Sequence, residues 1–314
     1  MYEKFKRSIQ PVINIYHLFR AVIAIVYYGF PSTKLKVIGV TGTDGKTTTT
    51  FAIYQILKAA GKKVSMLSTI YAKIGDVEYE TGLHFTTPDV ALLQKLISKA
   101  AAHGDEYFVL ETTSHALDQN RNFGVHYEVS VITNITHEHL DYHKTFGNYV
   151  RAKAKLLKYS KIGIINRDDA AFEKLNEVVK TGKFKSLRSL KTFGLKNDSD
   201  YRVNIKKTLK LDVPEYNNYN YLAAYAVCSE LGINKAKITG TLRNFQTPLG
   251  RNETVYDKGF QIIVDFAHTP NSLKQILSDL RTRTDSRKGR LIHVFGSAGL
   301  RDVQKRPMMG SETS

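Results

Sequence analysis

The stretch Thr41-Gly42-Thr43-Asp44-Gly45-Lys46-Thr47 combines glycines, hydroxyls and one amine in an order that suits a bound phosphate. Glycines let the backbone turn tightly and approach an anion, and the amide groups that follow can face it. In such a loop Lys46 would reach the β- and γ-phosphates, and the Thr47 hydroxyl would sit on Mg²⁺. The strict phosphate-loop pattern places a further glycine where this chain has Val40, so what stands here is the looser G-x-x-G-K-T. The competing reading is an ordinary glycine turn with a solvated lysine. The apolar run before the loop and the Thr47–Thr50 run after it favour the nucleotide loop.

Other residues along the chain could do chemistry. Glu111 ends an apolar run, where a carboxylate can hold Mg²⁺ opposite a phosphate loop; a helix cap or a surface carboxylate is the plainer alternative. His137-Glu138-His139-Leu140-Asp141-Tyr142-His143 is dense in metal-capable groups. It partly fits a zinc-hydrolase pattern, in which imidazole and carboxylate would activate water, but Tyr142 stands where that pattern wants histidine. The other reading gives one histidine to a second Mg²⁺ and leaves the rest to orient it. Lys153 taken alone is a solvated lysine. The asparagines of Tyr216–Asn220 either cap a helix or read an adenine edge. Arg251 could clamp a phosphate, and Asp265 to Pro270 closes another strand.

These residues need elements to position them. Strands are expected at Leu35–Val40, Val64–Ser68, Tyr107–Glu111, Val129–Asn134 and Ile162–Asn166, with helical patterns between, including Asp89–Ala102 and Phe146–Leu157. Alternation of this kind predicts an α/β fold, a doubly wound parallel sheet whose ligands gather at the carboxyl ends of the strands. Lys191–Val213 reads as short strands and turns at an edge, and Tyr216–Leu231 and Lys235–Phe245 as helices. A second alternating unit begins near Thr254, with strands at Phe260–Phe266 and Leu291–Phe295 around a helix at Ser272–Arg281. Residues 1–34 form a basic, apolar leader, 35–247 a nucleotide-binding domain, and 248–314 the start of a further α/β domain. The leader reads as a helix packed on the nucleotide domain; the sharper alternative is an interfacial helix with Lys4, Lys6, Arg7 and Arg20 at lipid headgroups, a peripheral membrane contact.

Composition bounds the function. Lys and Arg number 46 against 29 Asp and Glu, a net charge of +17. That excess suits anionic ligands. No basic block with interleaved aromatics accompanies it, so nucleic acid is not the expected partner. The single cysteine, Cys228, excludes a disulfide framework and points to a reducing cytoplasm.

Taken together, the segments from about Lys36 to Gly310 resemble the Mur ligases, and most closely the branch that adds the third amino acid to UDP-N-acetylmuramyl peptides. The resemblance rests on collinear motifs: VTGTDGKTTT, TTPD (86–89), ETTSHALDQNR (111–121), TNITHEHLDYH (133–143), YVRAKAKLL (149–157), NNYNYLAA (217–224), LGRNE (249–253), VDFAHTP (264–270) and VFGSAGLRDVQKRP (294–307). It implies a central nucleotide domain followed by a partial Rossmann-like domain, and an ATP- and Mg²⁺-dependent ligase that joins an amino acid to a UDP-N-acetylmuramyl peptide through an acyl phosphate. Gly42, Thr43, Asp44, Gly45, Lys46, Thr47, Thr48, Asn217, Asn220, Arg251, Asp265 and His268 are implied for ATP. Thr47, Glu111 and His139 are implied for the metal, with Lys46 and His139 in the catalytic centre. Thr86, Thr87, Thr113, Ser114, Gln119 and Arg121 are implied for the muramyl peptide. Lys153 matches a lysine that the family carbamylates. Asp44, Glu138, Ser297 and Ala298 depart from the family's commoner residues. The first 34 residues hold no counterpart of the family's uridine-nucleotide domain, and the segment that selects the amino acid has none after Gly310. The resemblance therefore implies a truncated chain. The alternative is an ATP-binding subunit that is inactive without a partner.

Overall fold

The computed structural model describes residues 2–81, 86–211, 213–286, 288–297 and 305–313, without the side chains of residues 2–9 and 11. Its centre is a sheet of eight strands. In chain order the helix α1 (Tyr2–Tyr27) precedes β1 (Lys36–Thr41), α2 (Lys46–Ala59), β2 (Val64–Leu67), β3 (Ala72–Ile74) and β4 (Val77–Tyr79). Then come α3 (Val90–His103), β5 (Tyr107–Glu111), α4 (Ser114–Asp118), β6 (Tyr127–Ile132), α5 (Leu140–His143), α6 (Phe146–Lys158) and β7 (Ser160–Asn166). The domain closes with α7 (Phe172–Thr181), β8 (Ser189–Phe193), α8 (Ile205–Leu209), α9 (Glu215–Glu230) and α10 (Lys235–Arg243). The strand order is β4-β3-β2-β5-β1-β6-β7-β8. From β2 to β8 every neighbouring pair is parallel.

The strand β1 lies in the middle, and every residue after Lys36 is buried. A strand covered on both faces is expected to be rich in β-branched side chains, and Val37, Ile38 and Val40 supply them. Their alternation separates the core into layers. Ile38 and Val40 join Phe51, Ile53, Ile56 and Leu57 of α2 and Leu222 to Cys228 of α9. Val37 points the other way, to Leu93, Leu96 and Ile97 of α3 and Leu156 of α6. The sheet is thus sandwiched between helices, the architecture the sequence predicts. The helix α2 forms although Lys46 is followed by four threonines, Thr47 to Thr50. All four are buried, so packing against the sheet and α9 overrides their weak helix propensity.

The sequence does not announce the antiparallel hairpin β3–β4 at one edge, paired Ile74 with Val77 and turned by Gly75 at φ +58°. In the C-terminal lobe, β9 (Glu253–Asp257) and β10 (Gln261–Val264) pair antiparallel, followed by α11 (Pro270–Ser286) and α12 (Lys305–Ser311). The strand expected at Leu291–Phe295 has no ladder partner among the described residues. Val294 there is 91% exposed, because an apolar run without an adjacent edge has nothing to pair with. The turn before Arg301-Asp302, including Ala298, lies outside the described residues.

Gly39 in β1 lets α6 approach the sheet. A Cβ there would lie 2.8 Å from both Leu156 Cδ1 and Tyr127 Cδ1. Gly39→Val is therefore expected to lower unfolding free energy by about 1–3 kcal/mol through overpacking, read from the midpoint of a urea melt.

Candidate functional site

The loop after β1 is braced before any ligand arrives. The Thr43 amide donates to Asn134 O (2.9 Å), and the Asp44 amide to Asn134 Oδ1 (2.9 Å). The Asp44 carbonyl accepts from Thr133 Oγ1 (2.6 Å) and Asn134 Nδ2 (3.1 Å). Gly45, at φ +81°, precedes the first turn of α2, and a Cβ on it would run into Asn220 Oδ1. Gly42 is under a similar constraint from Thr133 Oγ1. Gly45 to Thr48, at the start of α2, line the cleft between the lobes. Lys46 Nζ donates to Thr43 O (2.8 Å). Desolvation lowers its pKa, partly opposed by Glu111 and Asp44.

Glu111 ends β5 with no solvent exposure. Its carboxylate accepts from Thr47 Oγ1 (3.1 Å), Thr69 Oγ1 (2.8 Å) and the Thr69 amide (3.0 Å). It is neither a cap nor a surface residue. Arg251 of the C-terminal lobe reaches the same point and donates from Nη2 to Thr47 Oγ1 (3.1 Å). A buried carboxylate beside a hydroxyl at the mouth of this glycine loop fits Mg²⁺, which takes one or two protein oxygens and completes its shell with water and phosphate. Among the described residues no three His, Cys, Asp or Glu side chains gather as a cage. The zinc arrangement suggested by residues 137–143 is therefore not assembled.

Two of those histidines, His139 and His143, cluster instead with His115, Tyr142 and Tyr149 in edge-on and tilted ring contacts. His139 sits in the left-handed region (φ +56°), a conformation that costs a bulky residue of order 1–3 kcal/mol. Its ring meets His115 edge-on at 4.8 Å and Tyr149 at 6.2 Å. Its Nδ1 is 3.9 Å from Glu138 Oε1, which also takes Lys305 Nζ of α12 at 2.9 Å. Desolvation, with His115, Lys153 and Lys46 nearby, holds the His139 imidazole neutral. His143 is buried behind it, Nε2 3.0 Å from Ser114 Oγ, and burial pushes its pKa down to about 3. Lys153 is 1% exposed, its Nζ 4.7 Å from the Tyr149 ring centre. Burial and the Lys46 charge lower its pKa well below the usual lysine range, so its amine is poised to lose its proton. It is not the solvated lysine that its local sequence suggests.

A cleft of about 1440 Å³ runs between the two lobes. Its walls include Thr43 to Thr48, Thr86, Thr87, Glu111, Thr113, Arg121, His139, Asn217, Asn220, Arg251, Asp265 and His268. Four expected residues lie off the wall. Gly42 supports the loop from behind, Lys153 lies beneath, Ser114 holds His143, and Gln119 donates to Tyr142 OH (3.3 Å). On the threonine side, the Thr87 hydroxyl accepts from the Thr113 amide (3.1 Å), and Arg121 donates to Thr87 O (3.2 Å). Asn217 and Asn220 occupy the first turns of α9, joined to one another at 3.0 Å, and do not cap it; Pro214 stands at the cap position. Nearby, Asp168 accepts from the amides of Leu195, Lys196 and Asn197 and from Tyr219 OH. Burial opposes ionisation, but these donors hold its carboxyl down to about 2.

Sequence reading missed several residues of the site. Thr69 follows the end of β2, as Glu111 marks the end of β5, and that strand-end rule could have found it. Lys305 reaches Glu138 across a separation of 167 residues, with no local signal. Asn271 Nδ2 donates to Asp44 Oδ2 (2.9 Å), a second tie between the C-terminal lobe and the loop.

Comparison with known proteins adds a family. The model of the Mur ligase middle domain matches residues 40–228, and that of the Mur ligase glutamate ligase domain residues 250–312. The chain is 40% identical over 311 residues to the UDP-N-acetylmuramoyl-L-alanyl-D-glutamate–2,6-diaminopimelate ligase of Clostridium botulinum, covering 92% of this chain and 62% of that protein. Against its Aquifex aeolicus counterpart the values are 38% over 295 residues, with 90% and 60% covered. The chain thus spans about three fifths of the length of these relatives. A solved structure of a ligase of the same name matches with TM-score 0.66 at 26% identity, covering 88% of this chain and 59% of the other. A ligand-free folylpolyglutamate synthase/dihydrofolate synthase from Yersinia pestis matches in fold alone, with TM-score 0.69 at 20% identity and 94% and 78% covered.

The buried His143 makes acid a measurable stress. Its folded pKa of about 3 lies below the ordinary 6.5, so as pH falls below 6.5 the unfolded chain takes a proton that the folded chain refuses. Stability from this group is present above pH 6.5 and is lost between pH 6.5 and 3, by up to about 2 kcal/mol on reaching pH 5. His143→Gln keeps a hydrogen bond to Ser114 and is expected to flatten that limb in urea melts from pH 7 to 5.

Proposed function

The chain belongs to the Mur ligase family, and from that premise we propose that it is an ATP-dependent ligase that joins an amino acid to a UDP-N-acetylmuramyl peptide. One observation carries the reading: Lys46, Thr47 and buried Glu111 meet at the phosphate loop, and Arg251 crosses from the other lobe to the same hydroxyl. The close relatives are named for this chemistry with 2,6-diaminopimelate, which makes it the first amino acid to test. A cytoplasmic enzyme suits the reduced, buried Cys228.

In the proposed reaction the peptide carboxylate attacks the γ-phosphorus of ATP, the bond to the β-phosphate oxygen breaks, and ADP leaves. The amine of the amino acid then attacks the acyl-phosphate carbonyl. An amide forms, phosphate departs, and the amine gives up a proton. The start of α2 and Lys46 would receive the phosphates, and the polyanion would restore the full charge that desolvation erodes on Lys46. Thr47 and Glu111 would hold Mg²⁺, with His139 as a further ligand; bound, the ion offsets charge on the transferred phosphoryl group. Asn217 and Asn220 would face the adenine, Arg251, Asp265 and His268 would reach the nucleotide from the second lobe, and Thr86, Thr87, Thr113, Ser114, Gln119 and Arg121 would position the muramyl peptide. Lys153, whose pKa burial lowers well below the usual lysine range, is suited once deprotonated to add CO₂, forming an N–C bond and releasing one proton to leave a carbamate.

The deciding measurement is phosphate release from ATP and Mg²⁺ by the purified chain with UDP-muramyl-dipeptide, supplied separately with 2,6-diaminopimelate and with L-lysine. Release that needs both the peptide and one amino acid is expected. Lys46→Ala should lower the rate at least about 100-fold, and Arg251→Ala should lower kcat/KM about tenfold. Full activity in Lys46→Ala would overturn the reading.

A further inference from the structure

The helix α1 is built the wrong way round for a helix that faces only water. Between residues 12 and 27 the side chains it exposes are Val12, Ile15, Tyr16, Phe19, Val22, Ile23, Val26 and Tyr27. They are 43–79% exposed and recur with helical spacing, so they form one unbroken apolar stripe. The polar residues of the same turns lie elsewhere. Asn14 and His17 are half-buried, and Arg20 pairs with Asp89 at 3.6 Å instead of standing outward. The inward face is small and fixed: Ala21 and Ile25 pack with Val90 of α3 and Phe123. Gly124, at φ +77°, leaves the room Ile25 occupies, and Ser32 Oγ ties the helix exit to Gly124 O (2.9 Å). The stripe is therefore presented by a docked helix.

We propose that this outward face of α1 binds an anionic lipid surface, with the helix lying in the plane of the membrane. Among the described residues no helix is long and apolar enough to cross a membrane, which leaves the in-plane arrangement. Charge favours an anionic partner. Residues 1–34 carry Lys4, Lys6, Arg7, Arg20 and Lys34 against the single carboxylate Glu3, within a chain of net charge +17. Three of those cations fall in the first two turns of α1, ahead of the stripe, and Lys and Arg are attracted to an anionic leaflet. Tyr16 and Tyr27 lie along one border of the stripe, where an apolar ring with a polar tip suits the headgroup boundary. The area argues against a protein partner on this face alone. Sixteen residues of helix present a strip roughly 24 Å long and about 10 Å wide, a few hundred Å². A stable dimer buries about 800 Å² on each partner. A lipid surface needs no matching area, only an apolar face sunk about 5–10 Å below the headgroups.

The test uses the full chain and co-sedimentation with large unilamellar vesicles, either of phosphatidylcholine alone or with about 30% phosphatidylglycerol. Binding to the phosphatidylglycerol vesicles is expected, weakening as salt rises, and much weaker to phosphatidylcholine alone. The variant Ile15→Asp/Phe19→Asp/Ile23→Asp changes only exposed side chains and should bind more than about tenfold more weakly, with unchanged circular dichroism and melting temperature. Absence of vesicle binding, or equal binding by folded wild type and variant, would overturn the proposal. So would a dimer in light scattering that the variant dissolves while neither protein binds vesicles, which would assign the stripe to a second copy of the chain.

Discussion

The buried carboxylate of Glu111 is the point the rest of the site depends on. A charge withdrawn from water must be compensated, and here the compensation comes from every direction. Two hydroxyls and a backbone amide donate to it, from the first turn of α2 and the end of β2. Lys46 and Arg251 supply opposite charge across the same space. One side chain therefore ties together two strand ends, a helix start and the second lobe. The parallel sheet makes this economical, since its central strands β5 and β1 end side by side, with Val40 in register with Glu111.

Desolvation outweighs the support that the local carboxylates give the buried cations. Lys46, Lys153 and Arg251 all have their pKa lowered, each chiefly by desolvation. Such a floor is electrostatically unfinished, and a polyanion would complete it. Lys305 shows the contrasting solution, since it is spent on Glu138 and leaves no such demand. The histidine cluster belongs to the same economy. Neutral imidazoles beside buried lysines add polar surface without adding more positive charge.

Much of this was legible in the sequence. The apolar runs of β1, β5, β6 and β7 and the helical patterns between them carry the sheet, because strands covered on both faces have little freedom of composition. The loop from Gly42 to Thr47 was legible as a tight turn between strand and helix, because its glycines stand where a side chain would clash with Thr133 and Asn220. What stayed hidden has physical reasons. The hairpin β3–β4 has strands of three residues, too short for a period to show. Lys153 looks like any helical lysine until folding buries it among Lys46, Asp44, Asp169 and Glu138 of other segments. Lys305 and Asn271 matter only because folding brings their helices to Glu138 and Asp44. The run Leu291–Phe295 has the composition of a strand, but ladder formation is decided by a neighbour and not by the run itself.

Asp44 answers to two masters. Its backbone is clamped by Thr133 and Asn134 of the sheet domain, while its carboxylate accepts from Asn271 of the second lobe. A ligand that altered the loop's arrangement would therefore also alter its contact with the second lobe, and by linkage a change in lobe position would alter that ligand's affinity by the same factor. The reciprocity needs no separate relay, because a single residue belongs to both bodies.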